Sequence, residues 1–369
     1  MPRKGKSQRR VKDYARHYHE GADAFDRESL QKQRVKIPAF RDAQLEEELA
    51  GRERAEGMVT GLFPAGAYVR VGPRDLICSI SGTFRPPPNA SALTVGDDVT
   101  VAMTAEQNFS GDASTDKQRS EAVILTRQSR RSVLARPQPI SGKRRDRYDE
   151  VFEKVVAANM DVLMVVATAR QPRVSPALVD RFCIMAERGD MKPIVVFNKI
   201  DVAMPDEELV AELAEGNIPM HFCSAKQGLH VSELLAAIDG KRSVLAGPSG
   251  VGKSSLINAM LPGMNLVTGA VRARDERGRH TTAASTIHIL PGGGLIIDTP
   301  GVRELALEMD AGELNWYFPE IAAESAKCKF NNCTHTHEPN CAVQQAAEEG
   351  RIPPRRYMSY LRIFATLQE

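Results

Sequence analysis

Residues 247–254 read Gly247-Pro248-Ser249-Gly250-Val251-Gly252-Lys253-Ser254, directly after the apolar run Ser243 to Ala246 and directly before the helix-like stretch Ser255 to Met260. A strand, a glycine-rich loop of the form G-x-x-x-x-G-K-[ST] and a helix together constrain the fold more than any other feature of the chain. The glycines let backbone N–H groups turn inward onto phosphate oxygens, and the N-terminus of the following helix adds a favourable dipole. Lys253 is spaced to reach β and γ phosphates, and the Ser254 hydroxyl to ligate Mg²⁺, with Ser255 opening the helix behind them.

The pattern around this loop is that of an α/β domain. The apolar runs Val162 to Ala167 and Pro193 to Phe197, with Met220 to Cys223 and Ser243 to Ala246, alternate with amphipathic stretches at Pro176 to Arg188, Asp206 to Glu215 and Val231 to Ile238. Continuous apolar strands between such helices predict a parallel sheet covered on both faces.

The motif Asn198-Lys199-Ile200-Asp201 ends the second of those strands. A carboxylate there accepts from guanine N1–H and the 2-amino group together, whereas adenine offers no amino group and a bare acceptor at N1. An unpaired buried polar group costs roughly 1–3 kcal/mol, more when charged, so Asp201 selects guanine. Lys199 is expected along the base plane and Asn198 as a tie between loops. Ser224-Ala225-Lys226 follows the next strand and suits a backbone contact to the guanine carbonyl. Asp298-Thr299-Pro300-Gly301 follows the strand Leu295 to Ile297, where Asp298 can hold Mg²⁺ through water and the Gly301 N–H can sense a γ-phosphate. Gly278-Arg279-His280-Thr281-Thr282 lies between, with Thr281 or Thr282 as the switch threonine.

Outside this region, Gly57 to about Leu125 holds short β-prone runs, Ala67 to Val71, Leu76 to Ile80 and Asp98 to Met103, separated by Gly and Pro turns. Their spacing predicts a small all-β barrel, which five strands would make an OB-fold. Near the C-terminus, Cys328-x₄-Cys333-x-His335-x₅-Cys341 offers three thiolates and an imidazole, a closed tetrahedral set for one structural Zn²⁺. His337 competes two residues on, and spacing does not decide between the two. The other cysteines, Cys78, Cys183 and Cys223, stand singly in apolar surroundings and read as small buried hydrophobes.

The net charge is only +2, but basic residues cluster at Arg3 to Lys12 and at Arg127 to Arg147, which suggests a polyanionic partner. No apolar stretch approaches the roughly 20 residues that span a bilayer. The basic, polar N-terminus lacks a signal-peptide core. The expected location is therefore cytoplasmic, with no membrane partner.

Ordinary GTPases run phosphate loop, switch threonine, D-x-x-G, N-K-x-D, S-A-K. This chain runs N-K-x-D, S-A-K, phosphate loop, threonine loop, D-T-P-G. In that order it resembles the circularly permuted GTPases, most closely the small ribosomal subunit biogenesis GTPase family (RsgA, or YjeQ), from about Gly57 to the C-terminus. Gly292-Gly293-Gly294 and Tyr317-Phe318-Pro319-Glu320 add to the likeness. The resemblance implies a GTP hydrolase working with GTP/GDP, Mg²⁺ and one structural Zn²⁺. It further implies a partner in the small ribosomal subunit and its rRNA, and a monomer. It favours His335 as zinc ligand.

Val302 stands where many GTPases place a water-orienting glutamine. The resemblance makes His280 the candidate catalytic substitute, a solvated loop histidine being the other reading. The expected division is a basic flexible extension 1–55, an OB-like barrel 56–126, a basic linker 127–150, a permuted GTPase domain 151–305 and a helical zinc module 306–369. The D-T-P-G switch would then lead straight into the zinc module and couple it to nucleotide state. Two other functions remain open on the residues alone: a GTP-dependent RNA-binding adaptor whose hydrolysis is incidental, and a small-molecule kinase, against which Asn198 to Asp201 argue.

Overall fold

The structure is a computed structural model. It describes residues 40–41, 47, 49–64, 66–80, 93–108, 119–137, 153–215, 217–261, 286–298, 307, 309 and 311–367. The opening basic run, Lys143 to Arg147, His280, Thr281, Thr282, and Thr299 to Gly301 with Val302 lie outside them. Residues 36–308 and 309–369 fall in separate compact units.

The first unit begins with strands β1 (Phe40–Arg41), β2 (Arg54–Phe63), β3 (Gly66–Val71), β4 (Arg74–Ile80), β5 (Asp98–Asn108) and β6 (Arg119–Arg127). β2 to β4 form an antiparallel meander, β4 pairs with β6 in parallel, and β6 returns through β5 to β2. The five strands β2 to β6 thus close a barrel, which is the OB arrangement expected from the sequence. Alternate residues supply its core: Ala67 and Val69, Leu76 and Cys78, Val99 and Val101, Ala122 and Ile124. The two-residue β1 pairs with β6, so part of the segment expected to be a flexible extension joins the barrel sheet.

The described part of the expected basic linker also differs from its reading. β7 (Val133–Pro137) pairs with β8 (Glu153–Ala158), and Arg127 and Arg130 are buried. Arg130 makes a bidentate pair with Asp97, Nε to Oδ1 at 2.6 Å and Nη2 to Oδ2 at 2.8 Å, with both side chains fully enclosed. Asp97 Oδ2 also accepts from the Thr94 amide at 2.7 Å. A charge pair taken out of water persists only with such complete hydrogen bonding. These arginines are committed inside the first unit and are not presented to an outside polyanion. Asn159 ties the same region together, donating to the Gly96 carbonyl at 3.0 Å and accepting from the Arg131 amide at 2.9 Å. Gly96 is required there, with φ of +90°, since a Cβ would sit 2.1 Å from the Ala158 carbonyl oxygen.

The chain continues through β9 (Val162–Ala167), α1 (Pro176–Arg188), β10 (Lys192–Phe197), α2 (Glu207–Glu215), β11 (Met220–Phe222), α3 (Val231–Ala237), β12 (Arg242–Ala246), α4 (Lys253–Met260), β13 (Thr286–Ile289) and β14 (Leu295–Asp298). The spatial order is β11-β10-β9-β12-β14-β13, parallel except for β13. β9 is buried at every residue, as a central strand with both faces covered must be. Helix α1 starts where the sequence signals it: Ser175 caps the Leu178 amide at 3.3 Å and Pro176 takes the first turn. The strand order reverses between β9 and β12, and a ligand crevice opens beyond the carboxyl ends of strands at such a point.

The second unit holds a 3₁₀ turn (Ala311–Tyr317), α5 (Pro319–Ser325), α6 (Ala342–Glu348) and α7 (Pro354–Leu367). Leu314, Phe318, Ile321, Val343, Ala346, Ile352, Tyr360 and Ile363 are buried apolar residues of its core. Tyr360 packs edge-on against Phe318 at 5.6 Å between ring centroids.

Candidate nucleotide and metal sites

The loop from Gly247 to Gly252 leaves the carboxyl end of β12 and delivers Lys253 to the first turn of α4. The Lys253 ammonium is buried and donates to the carbonyls of Gly247 at 2.6 Å and Pro248 at 2.8 Å, which aims it into the hollow of the loop. Gly252 is the N-cap of α4 at φ +93°, and a Cβ there would fall 2.5 Å from Asn198 Nδ2. Only glycine brings the loop this close to its neighbour.

Asn198 joins the loops. Its Nδ2 donates to the Val251 carbonyl at 2.9 Å, and its Oδ1 accepts from the Ala225 amide at 3.0 Å. The phosphate loop and the Ser224-Ala225-Lys226 turn are therefore fixed to one buried amide. Lys199 takes a left-handed backbone, φ +63°, and its ammonium donates to the carbonyls of Gly250 at 2.7 Å and Gln171 at 2.5 Å. Ser224 Oγ donates to Asp201 Oδ1 at 2.6 Å, holding the carboxylate at the rim. Asp298 ends β14 opposite Leu245 of β12, one residue before the strand gives way to the phosphate loop. The thiol of Cys223 beside Asn198 is pushed up to about 11 by burial, which leaves it an inert packing group.

The sequence therefore names residues that the fold brings to one crevice: Gly247 to Ser255, Asn198, Lys199, Asp201, Ser224 to Lys226 and Asp298. His280, Thr281, Thr282 and Gly301 lie outside the described residues. One participant carries no sequence signal. The Gln171 carbonyl, in the loop after β9, enters through its main chain, which any residue type supplies.

In the second unit, the ligand atoms of Cys328, Cys333, His335 and Cys341 lie within 4.8 Å of one another. A tetrahedral Zn²⁺ with Zn–S of about 2.3 Å and Zn–N of about 2.0–2.1 Å requires S···S near ~3.8 Å and S···N near ~3.6 Å. The separations are 3.9 Å for Cys328 to Cys341, 3.6 Å for Cys333 to Cys341, and 3.6 and 3.4 Å from His335 Nδ1 to Cys328 and Cys341. The donor set fits the metal. Burial holds the His335 imidazole down, in its neutral form, and pushes the Cys333 and Cys341 thiols up. A cation supplies the charge that keeps such thiols deprotonated.

His337 is exposed, with Nδ1 turned to the Thr336 hydroxyl at 2.7 Å, and stands outside the cluster. The knuckle is pinned from behind: Tyr357 and Tyr360 donate to the carbonyls of His335 at 2.7 Å and Thr334 at 3.2 Å. Glu338 accepts from the Thr334 amide at 2.8 Å and its hydroxyl at 2.6 Å. Burial raises the Glu338 carboxyl, but these hydrogen bonds outweigh it and set it at about 2.

Residues 127–308 match the RsgA GTPase family. The Small ribosomal subunit biogenesis GTPase RsgA of Gemmatimonas aurantiaca is 39% identical over 278 residues, covering 74% of this chain and 84% of that protein. The chain belongs to the RsgA GTPase family. The protein of the same name from Carboxydothermus hydrogenoformans is 37% identical over 308 residues, 83% of this chain and 95% of its own length. Among solved structures, YjeQ from Thermotoga maritima matches with a TM-score of 0.61 at 30% identity, over 86% of this chain and 99% of that one. YloQ, described as a circularly permuted GTPase, matches with a TM-score of 0.56 at 28% identity, over 86% of this chain and 96% of that one. As an RsgA GTPase the chain is a GTP hydrolase with a permuted domain, and its expected fold class holds throughout.

Proposed function

We propose that this chain docks on the small ribosomal subunit, hydrolyses GTP there in support of the subunit's late maturation, and then dissociates. The observation that carries the reading is Asn198, which ties the phosphate loop to the Ser224–Lys226 turn beside Asp201. A guanine base and its phosphates are thereby addressed by one preorganised crevice. The relatives named for small ribosomal subunit biogenesis supply the partner.

In this reading Asp201 pairs with the guanine edge, Lys199 lies along the base, and the Ser224–Lys226 backbone meets the guanine carbonyl. The amides of Gly247 to Ser255 and the Lys253 ammonium neutralise phosphate charge as it shifts toward the leaving oxygen. Ser254 and Asp298 would hold Mg²⁺, which supplies charge neutralisation at the β and γ phosphates. Thr281 or Thr282, the Gly301 amide and His280 remain the assignments for sensing the γ-phosphate and orienting water. The Cys328, Cys333, His335, Cys341 cluster holds one structural Zn²⁺. The GTPase acts as a monomer in the cytoplasm, on rRNA reached by the barrel and the zinc module. Arg127 and Arg130 are buried within the protein, so the RNA contacts fall to other residues.

Co-sedimentation tests this assignment of partner. With a non-hydrolysable GTP analogue the chain should pellet with small subunits and be released by GDP. Binding should weaken steeply with salt, as phosphate contacts require. Equal association with large subunits, or association indifferent to salt, would contradict it.

A further inference from the structure

The zinc geometry uses one nitrogen of His335, and the second has a partner of its own. Nδ1 faces the thiols, whereas Nε2 lies 3.2 Å from the side-chain nitrogen of Asn315, on the 3₁₀ turn Ala311–Tyr317. An imidazole that gives its Nδ1 lone pair to a metal carries its proton on Nε2. Nε2–H and the Asn315 NH₂ are then two donors facing each other. The other end of the same amide is also at fault: Asn315 Oδ1 is buried with no hydrogen-bond partner among the described residues.

Turning the amide by half a rotation removes the opposition of donors at His335, because its oxygen and nitrogen are nearly interchangeable in shape and opposite in role. Oδ1 then accepts from Nε2–H. We propose that Asn315 is the positioning residue of the zinc site, its carbonyl oxygen fixing the tautomer and ring orientation of His335. This inference rests on reading the Cys₃His cluster as a zinc site.

The need for such a residue is visible in the backbone. His335 sits at φ +60°, a left-handed conformation uncommon for a non-glycine residue. Tyr357 secures its carbonyl at 2.7 Å, a contact that leaves the rotation of the ring unset. A hydrogen bond to the distal nitrogen sets it. It also raises the basicity of the ligating nitrogen, and loss of such partners typically weakens metal binding by about 10–100-fold. The sequence gives no hint of the pairing, since Asn315 stands twenty residues from His335 in a segment with no metal-ligand spacing.

Full-length Asn315→Leu and Asn315→Asp separate the role from mere packing. Leucine keeps the volume and removes the acceptor, while aspartate keeps an acceptor. Zinc content of the wild-type chain is read first: a chain that retains no zinc overturns the site reading, and this inference with it. In competition with a chromophoric chelator, Asn315→Leu should lose zinc affinity by roughly 10–100-fold and Asn315→Asp should hold it near or above wild type. Nitrogen-15 NMR of the ring should show an exchange-protected Nε2–H in the wild type and in Asn315→Asp only. Wild-type zinc affinity in Asn315→Leu, or an equal loss in both variants, would overturn the assignment.

Discussion

Asp201→Asn is expected to exchange the preference of this GTPase from GTP to XTP. The aspartate carboxylate is held at the rim of the crevice by Ser224 Oγ at 2.6 Å, so its two oxygens are not free to reorient. As an acceptor-only group it matches guanine N1–H and the 2-amino group. Asparagine presents one acceptor and one donor, which leaves the 2-amino group facing an N–H. Xanthine carries a carbonyl at that carbon, and the amide then pairs with N1–H and the carbonyl together. Each hydrogen bond to a charged partner contributes about 1.5–3 kcal/mol, so losing the one to the 2-amino group lowers GTP affinity by roughly 10–10²-fold. Asparagine still accepts from Ser224, so the loop keeps its shape. Nucleotide titrations of the variant with GTP, XTP and ATP check this. Unchanged GTP affinity would show that Asp201 does not read the base.

Removing the metal should have an effect of similar size on the other unit. Chelation at neutral pH is expected to unfold residues 311–367 while guanine-nucleotide affinity persists. The module's helices α5 and α6 are each only seven residues long, too short to be stable alone. Its apolar core is correspondingly small. A structural zinc site contributes on the order of 10–16 kcal/mol apparent free energy, against about 5–15 kcal/mol for the whole stability of an ordinary domain. The metal contribution is therefore decisive. Amide hydrogen exchange across 311–367, with and without chelator, reads it directly. Protection that survives complete zinc removal would mean that the helices and Tyr360 packing suffice. Cys341→Ser should reproduce the chelated state without any chelator.

The GTPase sheet was legible in advance because buried parallel strands write themselves as unbroken apolar runs. Val162–Ala167 and Pro176–Arg188 begin and end where their residues say, the latter through Ser175, Pro176 and the glycine at 189. The barrel was legible in part. β3 and β5 alternate, but β4 runs Leu76-Ile77-Cys78 unbroken, β2 mixes Glu56, Gly57 and Gly61 into its length, and β6 runs Ala122-Val123-Ile124-Leu125 without alternation.

The features hidden in the sequence were chiefly non-local. Arg130 looked like one more member of a basic cluster, and only the fold brings it to Asp97, thirty-three residues away. β7 and β8 pair across the segment between them, and neither announces a partner. In the candidate site the side chains were legible from motif chemistry, but the Gln171 carbonyl under Lys199 was not. His335 and His337 were equal on spacing. Burial and the hydrogen bonds of Tyr357 and Tyr360 set the first inside the cluster and leave the second on the surface.

Whether the small ribosomal subunit is where this GTPase acts can be read from its turnover. GTP hydrolysis by the purified chain would be measured alone and with small subunits, large subunits or free rRNA. Slow turnover alone and strong stimulation by small subunits only are expected. Equal turnover in all four conditions would contradict the proposed site of action.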